Sequence, residues 1–378
     1  MSDITVKLGE LFCGPGGIAV GATLTKINGF KIEHTWATDY HSDTCDTYRK
    51  NIFPNNPEKV VCHDIRSLNM DVLGKISEVD ALAFGFPCND FSLVGEQKGV
   101  EGEFGPLYTY CVKAINRFKP KWFLAENVGG LRSSNNGKAF DSILNEFRDC
   151  GYTLYPHLYK FEKYGVPQAR HRIIIIGIRH DLEIEFKVPA STGITKTAKS
   201  ALANIPKGAT NQVMTKQSRI VVERLMNIEP GQNAFNADLP EHLKLNVKGA
   251  KISQIYKRLD PDRPAYTVTG SGGGGTHMYH WKEPRALTNR ERARLQTFPD
   301  DFEFCGSKES VRRQIGMAVP ADGIRQIFEA LLMSFAGVSY PSEEPSFGIL
   351  RYDPEYKLAE GEKLKLVEEV AIYEKEIS

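Results

Sequence analysis

Phe84-Gly85-Phe86-Pro87-Cys88-Asn89-Asp90-Phe91-Ser92 is the stretch on which the reading of this chain turns. Just before it, Val79-Asp80-Ala81-Leu82-Ala83-Phe84 is short and mostly apolar, the pattern of a strand covered on both faces of a parallel sheet. Gly85 and Pro87 end such a strand. Glycine admits backbone angles closed to other residues, and proline has no N–H to give the ladder. Cys88 is thereby delivered to the carboxyl end of a strand, where open α/β sheets bind their ligands. A thiol held there is a nucleophile if its surroundings favour the thiolate. Most free cysteines are simply small buried apolar side chains, so the neighbours have to decide.

The whole-chain properties narrow the classes. With 378 residues the expectation is two domains. Lys plus Arg (48) nearly balance Asp plus Glu (47), so any nucleic-acid contact is a local cleft rather than a whole-molecule field. Cys13, Cys45, Cys62, Cys88, Cys111, Cys150 and Cys305 are scattered, odd in number and without a Cys-x-x-Cys pair. That pattern speaks for a reducing compartment and against a disulfide frame or a zinc site. The opening residues carry no apolar signal core, and runs such as Ile173 to Ile176 are too short to cross a bilayer. A soluble, cytoplasmic protein is expected.

Residues 84–92 resemble the Gly-Phe-Pro-Cys-Gln-x-Phe-Ser motif of the DNA cytosine-5 methyltransferases, and further motifs of that family follow in its order. Residues 4–11 read as a first strand and 18–24 as a helix, joined by Phe12-Cys13-Gly14-Pro15-Gly16-Gly17. A glycine-rich turn of this kind lets backbone amides approach a ligand. It lacks the Gly-x-Gly-x-x-Gly spacing of a dinucleotide loop and resembles the family's Asp-Leu-Phe-x-Gly-x-Gly-Gly, with Glu10 in place of Asp. The resemblance implies S-adenosyl-L-methionine, with its methionine part on this loop. A second strand over about 31–38 ends at Asp39-Tyr40, a carboxylate suited to a ribose diol and a ring suited to stacking on adenine. A helix cap and a packing tyrosine would look the same. Asp64 and Ile65, at a third strand end, are expected against the adenine amino group and ring. Gly85, Pro87, Leu107, Met317 and Val319 complete the implied cofactor set.

After Cys88 a glycine-rich segment runs to Tyr108, the composition of a lid. It resembles the family's active-site loop, and Ser92, Gln97 and Lys98 are expected on DNA; Phe104 stands where the family carries Arg. Trp122-Phe123-Leu124-Ala125 is another buried strand, ending in Glu126-Asn127-Val128, itself a family motif. A carboxyl there is costly without a role and is a candidate general acid. Gln168-Ala169-Arg170-His171-Arg172 matches the family's Gln-x-Arg-x-Arg. Read as a strand, it puts Arg170 and Arg172 on one side, both over the pocket.

From about Asp181 the chain turns polar and irregular, the start of an inserted domain over 181–283. Within it Thr267-Val268 and the run Gly272-Gly273-Gly274-Gly275 match the family's target-recognition region, with a Thr-Val-Thr strand expected. Gln254, Lys257, Arg258, Thr267, Gly272 and Gly273 are the candidate DNA contacts, and Arg263 a candidate for phosphate. Thr288 and Glu291 form a capping box for a helix that ties this region to the catalytic domain. Gln314-Ile315-Gly316-Met317-Ala318-Val319-Pro320 is expected to open a helix reaching about Leu332, with Met317 where the family has Asn. Residues 336–378 hold no motif and read as an appendage.

The fold implied is α/β, a Rossmann-like S-adenosylmethionine-dependent methyltransferase domain (1–180, completed by 284–335) with an inserted smaller target-recognition domain. The activity implied is that of a DNA (cytosine-5-)-methyltransferase. Cys88 is the nucleophile, Glu126 the acid, and Arg170 and Arg172 steady the base. Expected partners are double-stranded DNA and a restriction endonuclease with which the enzyme is functionally paired; a monomer is expected, with no metal and no membrane. A tRNA cytosine methyltransferase, a non-catalytic DNA-binding relative and a nicotinamide oxidoreductase are the alternatives; the last gives Cys88 no purpose.

Overall fold

The computed structural model describes residues 4–87, 107–131, 138–246 and 253–354. Cys88, Ser92, Gln97, Lys98 and Phe104 lie outside them, as do 355–378.

Seven strands make one sheet. β1 (Ile4–Leu11), β2 (Phe30–Asp39), β3 (Val60–Cys62), β4 (Ala81–Phe84) and β5 (Trp122–Val128) run parallel, while β6 (Tyr152–Lys160) and β8 (His171–Arg179) close one side as an antiparallel pair. The order across the sheet is β3-β2-β1-β4-β5-β8-β6. The short β7 (Gln168–Ala169) precedes β8. Alternation explains why the strands are apolar throughout. Leu82 and Phe84 of β4, Phe123 of β5 and Ile173 and Ile175 of β8 face one core. Ala81 and Ala83, Leu124, and Ile174 and Ile176 face the other.

Helices cover both faces. α1 (Gly17–Leu24) follows β1, α2 (Ser42–Ile52) follows β2, and α3 (Met70–Ile76), α4 (Tyr108–Phe118) and α5 (Lys138–Asp149) follow in turn. Among its described residues the inserted region holds short strands and helices, β9 (Val188–Pro189), α6 (Ala198–Leu202), α7 (Arg219–Met226) and β10 (Ala265–Tyr266), together with 3-10 turns. It has a small core of its own, in which Leu225, Ile228, Leu239, Leu243, Tyr256 and Tyr279 meet. α8 (Asn289–Leu295) then starts at Thr288 with both halves of the expected capping box formed. α9 (Lys308–Met317), α10 (Ala321–Phe335) and β11 (Ser342–Glu343) follow.

Five expectations need correction. The single helix from Gln314 to Leu332 is two helices, because Pro320 biases the preceding residue away from helical angles and itself caps α10. Residues 267–269 are not a strand; only Ala265–Tyr266 pairs, in parallel, with β7. The strand carrying both arginines is interrupted at Arg170, whose N–H donates to the Gln168 carbonyl at 3.0 Å. Finally, 336–354 are stitched to the catalytic sheet. β11 pairs with β9, Leu350 and Leu154 exchange backbone hydrogen bonds at 2.9 and 3.0 Å, and Phe347 meets the Phe140 ring at 5.3 Å. Phe186 and Val188 are buried in the same core as α10, so the chain leaves the catalytic body later than Asp181.

Candidate active site

Two neighbouring arrangements form at the carboxyl edge of the parallel strands. The first lies at the ends of β1 and β2. The turn after β1 adopts positive φ at Phe12 (51°), Gly14 (54°) and Gly16 (101°), angles that glycine takes without strain. It is fastened to β2. The Cys13 N–H donates to the Thr38 carbonyl at 3.1 Å, and the Gly14 N–H donates to Asp39 Oδ2 at 3.1 Å. Asp39 Oδ1 accepts the His41 N–H at 3.0 Å. Burial pushes the Asp39 carboxyl up, and the amides of His41 and Gly14 work against that shift. A carboxylate has about four acceptor sites, so each oxygen retains capacity for a further donor. The Tyr40 ring beside it is 67% exposed. Gly14 has open space where a Cβ would sit, and a Cβ on Gly17 would collide with the Val319 carbonyl, which brings the glycine turn and the start of α10 into contact. An open glycine turn, a carboxylate with spare acceptors and a bare aromatic face are what an adenosyl ligand with a charged amino-acid tail requires.

Other residues of that implied set stand differently. The Asp64 carboxylate is held by Arg66, with Oδ2 at 2.6 Å from Nη2, and the guanidinium keeps its carboxyl below the usual range. An amino donor would have to share it. Ile65 and Leu107 are 6% and 7% exposed and belong to the sheet's core. Cys13 is buried as well. Met317, at the end of α9, turns its side chain outward and is 61% exposed.

The second arrangement lies at the ends of β4 and β5. Glu126 is 8% exposed, and its Oε1 is 2.8 Å from Arg172 Nε. A Cβ added to Gly85 would come within 3.0 Å of Glu126 Oε2, so the glycine leaves room for the carboxyl group. Asn127 Nδ2 donates to the Phe86 carbonyl at 3.4 Å, tying the end of β5 to the segment after β4. Pro87 is half-buried, and Cys88 is the next residue along the chain. Burial pushes the Glu126 carboxyl up, and the nearby charges of Arg172 and Arg170 pull it back.

Arg170 does not join Arg172 over this pocket. It is 1% exposed and spans two carbonyls, with Nη1 donating to Val268 at 3.0 Å and Nη2 to Gly316 at 2.9 Å. These two bonds lock the inserted region to α9, while Nε has no partner among the described residues. Gln168 is a partner in this lock that the sequence motif gave no role. Its Nε2 donates to the Leu295 carbonyl at 3.1 Å, and its Oε1 accepts the Val268 N–H at 2.7 Å.

The candidate DNA contacts divide. Arg258 is corrected to a structural residue: it is 7% exposed and donates to the carbonyls of Leu225, Ile228, His280 and Trp281. The Thr267 hydroxyl is spent on the Ala169 carbonyl at 2.7 Å. Lys257 lies over the Tyr266 ring, 4.9 Å from its centroid. Gln254 is half-buried, with its Oε1 unpartnered among the described residues. Arg263 is largely exposed, beside Asp260 at 3.5 Å. Gly272 is half-buried and Gly273 exposed, on the surface of the inserted region.

Glu10, which the sequence marked only as standing in place of the family's Asp, is a buried carboxyl. Glu10 is 1% exposed beneath the glycine turn; its Oε1 accepts from the Tyr48 hydroxyl at 2.8 Å, and its Oε2 has no partner among the described residues. The signal was its place inside an otherwise apolar strand end.

Among the described residues no group of three or more His, Cys, Asp or Glu could hold a metal ion, and no helix is long and apolar enough to cross a membrane.

Comparison with known proteins identifies the family. A family model described as C-5 cytosine-specific DNA methylase matches residues 6–333. The type II methyltransferase M.BbvI of Brevibacillus brevis is 59% identical over 348 residues, covering 89% of this chain and 93% of the relative. M.NgoFVII of Neisseria gonorrhoeae, also a type II methyltransferase, is 41% identical over 87% of each chain. A solved structure of Spodoptera frugiperda DNMT2 superposes with a TM-score of 0.62 at 16% identity, over 86% of this chain and 99% of that one. At that identity the likeness concerns the fold, a Rossmann-like methyltransferase sheet.

Proposed function

The chain belongs to the C-5 cytosine-specific DNA methylase family and is a DNA (cytosine-5-)-methyltransferase, and we propose that it works through a transient bond between Cys88 and C6 of a cytosine turned out of a specific duplex sequence. The observation that carries this reading is the Glu126–Arg172 pair, set against Gly85 at the ends of two adjacent parallel strands and three residues before Cys88 in the chain.

Each group answers a chemical need. Cytosine C5 is a weak nucleophile and is stacked inside the duplex, so the base has to leave the stack at a cost of a few kcal/mol. The Cys88 thiolate adds to C6, and the electron pair of the C5–C6 double bond moves so that C5 becomes enamine-like. Glu126 serves N3 and the exocyclic amine. Burial raises its pKa, which keeps a proton at hand for N3 as negative charge develops there. Arg172 fixes the Glu126 carboxyl and offers its remaining N–H groups to the base carbonyl. Gly14, Gly16, Asp39 and Tyr40 would hold S-adenosylmethionine, which would supply an electrophilic methyl group; C5 would take it as the sulfur–methyl bond breaks and S-adenosylhomocysteine leaves. Afterwards the C5 proton is lost to a base or water, its electron pair re-forms the double bond, and the thiolate is expelled. The product is 5-methylcytosine.

Residues 190–283 are assigned to reading the target sequence, and the kinship with type II methyltransferases supports a functional pairing with a restriction endonuclease. The test is chemical. Duplex DNA carrying 5-fluorocytosine at the target should form an adduct on Cys88 that survives denaturation, because fluorine cannot leave as a proton does. Cys88→Ser should bind DNA and cofactor but transfer no methyl group; full transfer by that variant would refute the covalent route.

A further inference from the structure

Beneath the glycine run of the inserted region lie two arginines with buried nitrogens that have no partner among the described residues. Arg292 of α8 is 1% exposed, and neither Nη1 nor Nη2 has a hydrogen-bond acceptor among the described residues. Arg312 of α9 is half-buried, and its Nε is likewise buried and unpartnered. The neighbours on α8 show how unusual this is. Arg290 donates to the carbonyls of Thr210, Pro299 and Phe302, and Arg294 pairs with Asp300. The closest carboxylate in sequence, Glu291, is occupied by Arg285 through both oxygens at 2.8 Å. A buried charge without a partner is costly and in a native protein calls for an explanation.

The glycine run supplies the geometry. A Cβ on Gly272 would come 3.4 Å from Arg312 Nε and 3.5 Å from His277 Nδ1, so the strap rests directly on Arg312 and His277; Arg292 lies close enough behind them for its charge to act on His277. On Gly273 and Gly274 a Cβ would meet nothing within 4 Å, so the outer side of the strap is open. The strap has cations below, room above and no side chain along its glycines to read a base edge. An anionic oxygen approaching from outside would meet backbone alone, with two guanidinium charges behind it. Burial pushes the His277 imidazole down to about 4, so it is neutral at pH 7 and the positive charge belongs to the arginines.

We propose that residues 272–275 seat a DNA backbone phosphate, neutralised through the strap by Arg312 and, behind it, Arg292. The proposal rests on the reading of this protein as acting on duplex DNA and adds two residues to it. Arg312 is the nearer charge, lying against the Gly272 backbone, and Arg292 is a second positioning charge behind it; both act through the strap.

The test is the salt dependence of DNA binding, measured by fluorescence anisotropy with a mixed-sequence duplex between 50 and 300 mM NaCl, for the full chain and for Arg312→Gln and Arg292→Gln. Loss of one phosphate contact should reduce the slope of log Kd against log salt by about 0.9 and raise Kd at 0.15 M salt roughly tenfold for Arg312→Gln, uniformly across sequences. Arg292→Gln should shift both in the same direction by less, with a Tm no lower than wild type, because it removes a buried charge that nothing pairs. Slopes and Kd values equal to wild type in both variants would overturn the proposal. A lower Tm for Arg292→Gln with an unaltered slope would overturn the role given to that residue. Sodium phosphate without DNA separates the sources: a Tm rise in wild type that Arg312→Gln lacks, alongside unaltered DNA slopes, would show a free-phosphate site and overturn the assignment to DNA. If the wild type shows the salt-dependent contact but transfers no methyl group, the reaction proposed above fails and this site stands.

Discussion

Glu10→Gln should make the protein more stable, and increasingly so as the pH rises. Burial beneath the glycine turn pushes the Glu10 carboxyl from 4.5 up to about 8, with the hydrogen bond from Tyr48 working against the shift. In the unfolded chain the same group ionises near 4.5. Between those values the unfolded state gives up its proton first. The native state is therefore at its best below pH 4.5 and loses stability as pH climbs to 8. At about 1.4 kcal/mol per pH unit, the penalty relative to a neutral glutamine is about 2 kcal/mol at pH 6 and about 4 kcal/mol at pH 8. Glutamine keeps an oxygen for the Tyr48 hydroxyl, so the exchange isolates the charge. An unfolding entropy of about 2.1 cal/mol/K per residue makes 1 kcal/mol worth about 1.3 °C in a chain of 378 residues. The Tm gap between variant and wild type should then widen by about 3 °C from pH 6 to pH 8 in scanning calorimetry. His157 and His277, pushed down to about 4 by burial, destabilise both proteins alike as pH falls below 6.5, so they cancel in the difference. Parallel Tm curves, or a variant less stable than wild type at pH 8, would refute the argument.

Two further outcomes follow from the site. Asp39→Ala should weaken S-adenosylmethionine binding about 10- to 100-fold by calorimetric titration while DNA affinity changes little; a larger loss for DNA would contradict the ribose role. Arg170→Met leaves the buried carbonyls of Val268 and Gly316 without their donor. It should lower stability by about 2–5 kcal/mol in urea unfolding and slow turnover of DNA, and an unchanged midpoint would refute the locking role.

Much of the catalytic body was legible because its signals are local. Apolar runs such as Ala81–Phe84 and Trp122–Val128 have no other stable place than a sheet covered on both faces, and the turns after them carry their own glycine or proline. Thr288 and Glu291 announced α8 through a bond pattern three residues long. Long-range matters were hidden. Arg258 and Arg170 looked like ligands for anions, but whether a guanidinium meets phosphate or backbone carbonyls depends on segments distant in sequence. The same blindness hid Arg292, whose lack of partners becomes visible only when the inserted region is laid over α9. The break before α10 could have been read from Pro320. The roles of 336–354 could not, since two-residue β11 finds its partner β9 more than 150 positions away.

The crossing of Gly270 over Gly316 has a consequence for how such an enzyme changes its target. A Cβ on Gly316 would collide with the backbone of residues 269 and 270, so main chain meets main chain there. The contact needs glycine at 316 and the buried Arg170 and Gln168 side chains that lock it, but it makes no demand on the outward-facing side chains of the inserted region. On the reading proposed above, exchanging outward side chains of residues 190–283 would alter the recognised site, while this backbone crossing and the Arg170 and Gln168 bonds beside it keep the two halves in the same relation.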